Sequence, residues 1–210
     1  NPDATVDDGS CSGYPDNGDY SLNFSNDAAE VIIVASDDFD ISDIQSLTIS
    51  AKIKVDGNEE VIFQAEDSFG YYIATHTNGE FALWMYFDGY EDLCLSNTQI
   101  TDGDLHHVTG SYDGSQMKIY VDGVLENTCD AGTLVSQNET SPITIGTYQS
   151  GALNYQFNGQ IEGLSIWSQT LSDDEVLSHY NSDTYFDQLI ADWKFDTGAG
   201  EILYDHSGNQ

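Results

Sequence analysis

The sequence predicts an all-β domain, a sandwich of antiparallel strands with one short helix. From Gly18 onward, short runs rich in β-branched and aromatic residues alternate with Gly, Asn and Asp turn formers. No sustained helical period occurs before Ser172. With 210 residues, the chain has a length that a single all-β sandwich commonly occupies.

Two turns define the clearest hairpins in the sequence. The predicted strands Leu105–Tyr112 and Met117–Val121 lie on either side of Asp113-Gly114 and are rich in β-branched and aromatic residues. Asp122-Gly123 follows the second strand at once. Both dipeptides supply the positive φ angles that tight turns need, so we expect two consecutive hairpins here.

This segment resembles the signature of laminin G-like domains, which commonly reads Trp-His-His-Val, Tyr-Asp-Gly and Tyr-Val-Asp-Gly. Other segments resemble further parts of the same family, in the family's order. They are Ser21–Phe24, Leu47–Ala51, Ile143–Gly146, Phe157–Trp167 and Leu171–Val176. The resemblance covers roughly Gly18 to Gln210. It implies a two-sheet antiparallel jelly-roll sandwich of the concanavalin A-like lectin/glucanase superfamily.

The helix and the C-terminal block follow the last of these segments. Ser172 and Glu175 have the spacing of a capping box, which predicts a helix from Asp173 to about Tyr180. The C-terminal block, residues 186–210, either completes the sandwich as an extra strand or begins a further module. We therefore expect the laminin G-like domain to occupy residues 18–210.

The first 17 residues have no hydrophobic period and are dense in turn formers. They resemble the tail of an Asp-rich, Cys-bracketed linker module of large secreted proteins, especially those of marine bacteria. The sequence has no basic-then-apolar leader and no apolar run of membrane-spanning length. We therefore expect part of a larger multidomain protein that is secreted or displayed at the cell surface and does not span the membrane.

The charge of the chain is strongly one-sided. Four lysines, no arginine and 37 acidic residues produce a formal net charge of −33. Such a surface repels nucleic acid and anionic membranes, whose recognition needs Lys and Arg. Carboxylates favour hard divalent cations, so calcium is the expected counterion and cofactor. The alternative is that acidity simply keeps a secreted protein soluble in salty water.

The cysteines allow one disulfide. Cys94 and Cys129 lie at the ends of predicted strands on either side of the central hairpin, so they can pair in an oxidising compartment. Cys11 is left unassigned. Buried free thiols are the alternative.

The predicted hairpin between Tyr71 and Phe87 is apolar on both faces. A two-residue turn at Asn78-Gly79 places Ile73 opposite Trp84. One face then reads as core. Its residues are Tyr72, Ala74, Phe81, Leu83 and Met85. The other face carries Tyr71, Ile73, Thr75, Ala82, Trp84 and Tyr86. The outer face of a sandwich sheet is usually polar, so something covers this second face or binds to it.

In jelly-roll lectins, sugars stack on aromatic rings at the outer face of one sheet. The resemblance therefore suggests a carbohydrate platform made of Tyr71, Trp84 and Tyr86, with Tyr90 at its edge. The alternative is that the C-terminal block, with Trp193 and Phe195, folds over this face.

Calcium-binding members of the family place their ligands in loops at the rim of the sandwich. The matching candidates are Asp88 or Asp92 together with Asn138, and a further candidate is Asp205 with Asn209. Asp3 and Asp7 in the linker are also candidates, although their spacing is not a complete EF-hand loop. Plain acidic turns and a solvated linker are the alternatives. Adjacent strand residues point to opposite faces, so His106 and His107 are expected to be structural.

The sequence does not predict an enzyme. Related glucanases hold two carboxylates close together on one strand, whereas Ile161–Leu164 offers only Glu162. We expect a non-catalytic, calcium-assisted carbohydrate-binding module. The alternative is a structural or adhesive module that binds protein or serves as a calcium-stabilised spacer.

Overall fold

A computed structural model of the chain describes residues 21–25, 31–33, 46–65, 70–87, 90–132, 143–148, 155–195, 203 and 205–208. These residues form antiparallel strands and one helix. The strands are β1 Leu22–Phe24, β2 Val31–Ile33, β3 Leu47–Val55, β4 Val61–Ala65, β5 Tyr71–Thr75, β6 Glu80–Phe87, β7 Tyr90–Gln99, β8 His106–Tyr112, β9 Gln116–Val121, β10 Val124–Asp130, β11 Ile143–Ile145, β12 Gly159–Trp167 and β13 Leu189–Trp193. The helix is α1, Asp173–Ser182.

The strands form two sheets, as predicted. The seven-stranded sheet has the order β1-β12-β3-β8-β9-β10, with β13 also paired to β12. The six-stranded sheet has the order β2-β11-β4-β5-β6-β7. The fold is therefore the two-sheet antiparallel sandwich, with one short helix, that the sequence predicted. No helix in the part of the chain described here is long and apolar enough to cross a membrane.

The C-terminal block contributes a strand to this sandwich. Residues Leu164–Trp167 of β12 pair with β13, and the start of β12 pairs with β1. Trp193 is only 3% exposed, and its ring lies 6.5 Å from that of Phe63 in the core. Phe195 is also buried in the core. Of the two alternatives for the block, the extra strand is the one observed.

The core lies between the inner faces of the two sheets. Strand β3 shows why, because its apolar side chains alternate with polar ones and point inward. These inward residues are Leu47, Ile49, Ala51, Ile53 and Val55, all fully buried. Removing such side chains from water is the main favourable contribution to folding.

The local turn and cap signals are confirmed. Val121 pairs with Val124, and Asp122 and Gly123 between them have φ angles of 51° and 75°. These angles make the two-residue turn whose twist matches the strands. At α1, the Ser172 side chain accepts from the backbone of Glu175, and the Glu175 side chain accepts from the backbone of Ser172.

The helix covers the outer face of the seven-stranded sheet. An apolar cluster forms where α1 meets this sheet, and it consists of Tyr120, Trp167, Leu171 and Val176. The ring of His107 packs 5.2 Å from that of His179 in the helix, and its Nε2 lies 3.0 Å from the Ser50 hydroxyl. His106 instead lies between the carboxylates of Asp102 and Asp122. The two histidines therefore have separate structural partners.

The predicted disulfide is confirmed. Cys94 in β7 and Cys129 in β10 are bonded, with their Cα atoms 5.7 Å apart. These strands are the last ones of the two sheets, so the bond ties one sheet to the other. The Glu126 side chain also accepts hydrogen bonds from the backbone of Asn97 and Thr98. Two edges that could pair with other chains are thus joined to each other. Cys11 lies outside the described residues.

Candidate functional site

The β5–β6 hairpin has a different turn from the predicted one. The His76 N–H donates to the Glu80 carbonyl at 2.8 Å, so the loop contains three residues, Thr77 to Gly79. Gly79 has a φ of +86°, which suits a three-residue loop ending in a left-handed glycine. The register follows from this loop, and Trp84 pairs with Tyr72. The predicted pairing of Trp84 with Ile73 is wrong by one residue.

A shift of one residue moves every side chain of β5 to the other face. Tyr71 is 0% exposed and packs in the core, 6.1 Å from Phe63, so its assignment to the outer face is wrong. Tyr72 was expected in the core, and it lies on the outer face. Trp84 and Tyr86 lie on the outer face as expected, and both are half-buried.

Five rings follow one another across the outer face of the six-stranded sheet. We call this set the aromatic row. In order, its members are His76, Trp84, Tyr72, Tyr148 and Tyr155. Successive ring centroids are 6.2, 5.5, 6.0 and 5.9 Å apart. The Trp84 and Tyr72 rings are nearly parallel, at 8°. Tyr155, 43% exposed, ends the row.

Sequence reasoning missed four of the five members of the row. Tyr148 and Tyr155 lie beyond β11, and only the pairing of β11 with β4 brings this segment beside β5. Tyr72 and His76 were missed because the turn was placed one residue away from its observed position. One available signal was the size of the side chains: the observed register places Ile73 beside Leu83 in the core, whereas the predicted register placed small Ala74 there.

Tyr86 lies beside the row, and its hydroxyl is hydrogen-bonded to the Glu91 side chain. It pairs with Glu91 on β7. Burial, followed by its hydrogen bond to Glu91, raises the pKa of the Tyr86 hydroxyl. Burial also raises the pKa of Tyr72. Both hydroxyls therefore stay protonated at neutral pH and can donate or accept hydrogen bonds.

Tyr90 does not join the row. It starts β7 opposite Phe87, and its ring lies 5.7 Å from that of Phe87. Since Glu91 faces outward beside Tyr86, the preceding residue points to the other face of the strand. Tyr90 is 52% exposed, but it lies at the end of the sandwich.

The alternative prediction, that Trp193 and Phe195 fold over the aromatic face, is wrong. Trp193 and Phe195 lie in the core, and β13 belongs to the other sheet. The outer face of the six-stranded sheet thus keeps its half-buried aromatic side chains, while α1 covers the opposite face of the sandwich.

Two of the candidate calcium ligands can be placed. The Asp92 carboxylate accepts from the neighbouring Leu93 N–H. The Asp205 carboxylate accepts from the backbone of Asp192 and Ser207, so it closes a turn beside β13. Among the described residues, no group of three or more His, Cys, Asp or Glu is arranged to hold a metal ion. The remaining candidates, Asp3, Asp7, Asp88, Asn138 and Asn209, lie outside those residues.

The sequence also matches a known family. Residues 24–177, well over half of the chain, match the laminin G-like family described as the concanavalin A-like lectin/glucanases superfamily. The chain belongs to this superfamily. No curated protein matches it.

Solved structures share the superfamily fold. A proposed carbohydrate-binding protein of Bacteroides ovatus ATCC 8483 has a TM-score of 0.70 and 18% identity over 90% of this chain and 56% of its own. A structure from work on botulinum neurotoxin type C, whose cell entry depends on interaction with two ganglioside molecules, has a TM-score of 0.59 and 18% identity. It matches over 78% of this chain and 42% of its own. A heptameric SAP-like pentraxin of Limulus polyphemus has a TM-score of 0.54 and 16% identity over 76% and 79%.

These identities are low, so the likeness establishes the fold alone. The chain spans about half the length of the first two structures.

Proposed function

We propose that the chain is a non-catalytic carbohydrate-binding module whose contact surface is the aromatic row. The observation that carries this proposal is the pair formed by Trp84 and Tyr72. These two rings lie side by side on an outer sheet face, half-buried, and the described strand of the C-terminal block belongs to the other sheet. Aromatic rings offer apolar surface to the C–H groups of a sugar, while the hydroxyls of Tyr72 and Tyr86 offer hydrogen bonds.

The physical chemistry of the face supports a binding role. The outer face of an antiparallel sheet is normally polar, because it lies in water. Here the face holds Ala74, Ala82, Trp84 and Tyr72, which are apolar or largely so. Ala74 and Ala82 are buried, and the half-buried Trp84 and Tyr72 present the accessible apolar surface of this face. Clustered accessible apolar surface often marks a ligand or protein contact.

The solved structures support carbohydrate as the first ligand class. One is described as a proposed carbohydrate-binding protein, and another is connected with gangliosides. We carry this ligand class over to the present chain as part of the proposal.

A non-catalytic role agrees with the acidic groups beside the row. A glycosidase needs two carboxyl groups placed on either side of the scissile bond, one of which donates a proton. Glu91 is bonded to Tyr86, and Glu80 accepts two hydrogen bonds from Asn78. Burial opposes ionisation of Glu80, but hydrogen bonds from backbone N–H groups and from Asn78 outweigh it and lower its pKa. Glu80 is therefore poorly suited to donate a proton.

Calcium assistance and a multidomain, exported context complete the proposal. We propose Asp92, together with Asp88 and Asn138, which lie outside the described residues, as calcium ligands. The net charge of −33 supports a role for a divalent counterion.

A calcium-stabilised adhesive spacer is the second candidate function. It is favoured by the joined edges of the two sheets, where the Cys94–Cys129 bond and Glu126 hold β7 against β10. Joining these two edges protects them from pairing with other chains, which suits a module that stands between other domains.

A glycan-array screen with millimolar calcium, repeated with a chelator, tests the proposal. Binding to a related group of glycans that is lost in Trp84→Ala supports the aromatic row as the site. Loss of this binding in chelator supports calcium assistance. A blank array, from protein whose Tm rises with calcium, contradicts the lectin proposal and favours the spacer.

A further inference from the structure

The few positive charges of the chain are confined to one side of the sandwich. The four lysines are Lys52, Lys54, Lys118 and Lys194, and the chain contains no arginine. The first three lie on β3 and β9, and the fourth directly follows β13, so all belong to the seven-stranded sheet.

Three of these lysines are already paired with carboxylates. Lys52 lies 2.6 Å from Asp183, and Lys118 lies 2.9 Å from Asp173. Asp173 is the first residue of α1, and Asp183 caps its C-terminal end. Lys194 lies 3.8 Å from Asp192. The cations therefore neutralise acidic groups on the helix-covered side.

The aromatic row has no such cation. Neither the strands of the six-stranded sheet nor any loop that joins them contains Lys or Arg. The one basic group in the row is His76, whose Nδ1 lies 3.5 Å from the Glu80 carboxylate. At the other side of Trp84, Tyr86 is bonded to Glu91. The fixed charges at the row are thus carboxylates.

This charge distribution decides which glycans can approach. Proteins bind carboxylate and sulfate groups mainly with Arg and Lys, through charge-assisted hydrogen bonds. A uronate or sulfate on a sugar over this row would instead meet Glu80 and Glu91, within the field of a chain of net charge −33. An uncharged sugar meets the same carboxylates without repulsion, because its hydroxyl groups can donate hydrogen bonds to them.

We infer that the aromatic row selects uncharged glycan chains and rejects glycans that carry uronate, sulfate or sialate groups. This inference rests on the proposed function and names its substrate class. The row also favours chains over single sugars, because its five rings extend through four successive centroid spacings of 5.5–6.2 Å. Several linked sugars can therefore contact the row at once.

The test compares each polysaccharide with its own charged form. Affinity electrophoresis or calorimetry is run on laminarin, galactomannan and starch, and on the same polymers after their C6 hydroxyls are oxidised to carboxylates. We expect the oxidised form of any polymer that binds to bind about tenfold more weakly at low salt, because like charges then face each other. The difference shrinks as salt rises, since screening shortens the range of the repulsion to about 10 Å at 0.1 M.

Charge variants separate a local effect from a global one. Glu91→Lys adds positive charge beside Tyr86, and we expect it to reduce the difference between the neutral and oxidised polymers. Glu91→Gln should have a smaller effect in the same direction. Asp187→Lys is the matched control, because Asp187 is exposed near the start of β13 in the other sheet and the change in charge is equal. It should leave the preference almost unchanged.

Two results would overturn the inference in different ways. In the first, oxidised polymers bind as tightly as neutral ones, and Trp84→Ala abolishes the binding of both. This result would refute the charge selectivity and leave the carbohydrate-binding proposal standing. No binding of any polymer, neutral or oxidised, would refute both.

Discussion

The replacement Trp84→Ala, compared with Trp193→Ala, tests whether the aromatic row is a contact surface or part of the packing. The two substitutions remove the same side chain from different places. Trp84 is half-buried on the outer face of β6, whereas Trp193 is 3% exposed in the core. The comparison therefore holds the chemistry constant and changes only the environment.

The expected loss of stability is larger for Trp193→Ala than for Trp84→Ala. Removing a buried Trp costs about 3–5 kcal/mol, because it leaves a cavity, and we expect this for Trp193→Ala. Trp84→Ala loses its pairing with Tyr72, about 0.5–1.5 kcal/mol, together with part of its buried area. We expect a total of about 1–2 kcal/mol for this variant. For a domain of this size, these losses lower Tm by about 6–20 °C and 2–8 °C, respectively.

Urea unfolding measures both stabilities, and calorimetry measures the affinity for a glycan that the array identifies. An aromatic residue at the centre of a contact contributes about 2 kcal/mol or more, so Trp84→Ala should weaken binding by about 30-fold or more. Trp193→Ala should bind normally at temperatures where it is folded. The reasoning is refuted if Trp84→Ala destabilises the protein as much as Trp193→Ala, or if it binds with unchanged affinity.

Three further predictions concern stability. Burial against His179 lowers the pKa of His107 to about 3, so the unfolded chain takes up a proton below pH 6.5 and the folded one does not. The contribution of this group to the free energy of unfolding is complete above pH 6.5 and falls by about 1.4 kcal/mol per pH unit towards pH 3. His107→Gln should remove this loss, which is measured by comparing urea unfolding at about pH 7.5 and 5.5. Replacing both Cys94 and Cys129 by Ala opens a link between residues 35 apart and should cost about 3–4 kcal/mol, measured by urea unfolding. Ser172→Ala removes the cap of α1 and should cost about 1 kcal/mol by the same measurement.

Each of these predictions has a contrary result. An equal pH dependence in wild type and His107→Gln would mean that the imidazole accepts a proton in the folded state. A double Cys-to-Ala variant as stable as wild type would mean that the contacts of Glu126 hold β7 and β10 together without the disulfide. A Ser172→Ala variant as stable as wild type would mean that α1 is maintained by its packing on the sheet.

Much of the fold was predictable because its signals are local. Asp122-Gly123 specifies its turn through backbone angles that few other residues adopt. Ser172 and Glu175 specify the start of α1 through hydrogen bonds within one turn. The order of the family-like segments was enough to predict two antiparallel sheets. The disulfide was proposed because both cysteines were expected at strand ends, although Cys94 lies in the middle of β7.

The candidate site was predicted only in part. Trp84 and Tyr86 were placed on the correct face, but Tyr71 was chosen instead of Tyr72. Asn-Gly is compatible with a two-residue turn and with the observed three-residue loop, in which Gly79 has a positive φ and Asn78 does not. That difference of one residue reverses β5, because side chains alternate with a period of two.

The turn chemistry, the helix cap and the one-sided charge follow directly from the amino-acid sequence, because each depends on residues close together in the chain or on composition. The tertiary structure decided which aromatic residues meet. Tyr148 reaches Tyr72 only because β11 pairs with β4, and Trp193 enters the core only because β13 pairs with β12. These pairings join residues distant in sequence, and they are selected by burial of the whole core, which no local pattern encodes.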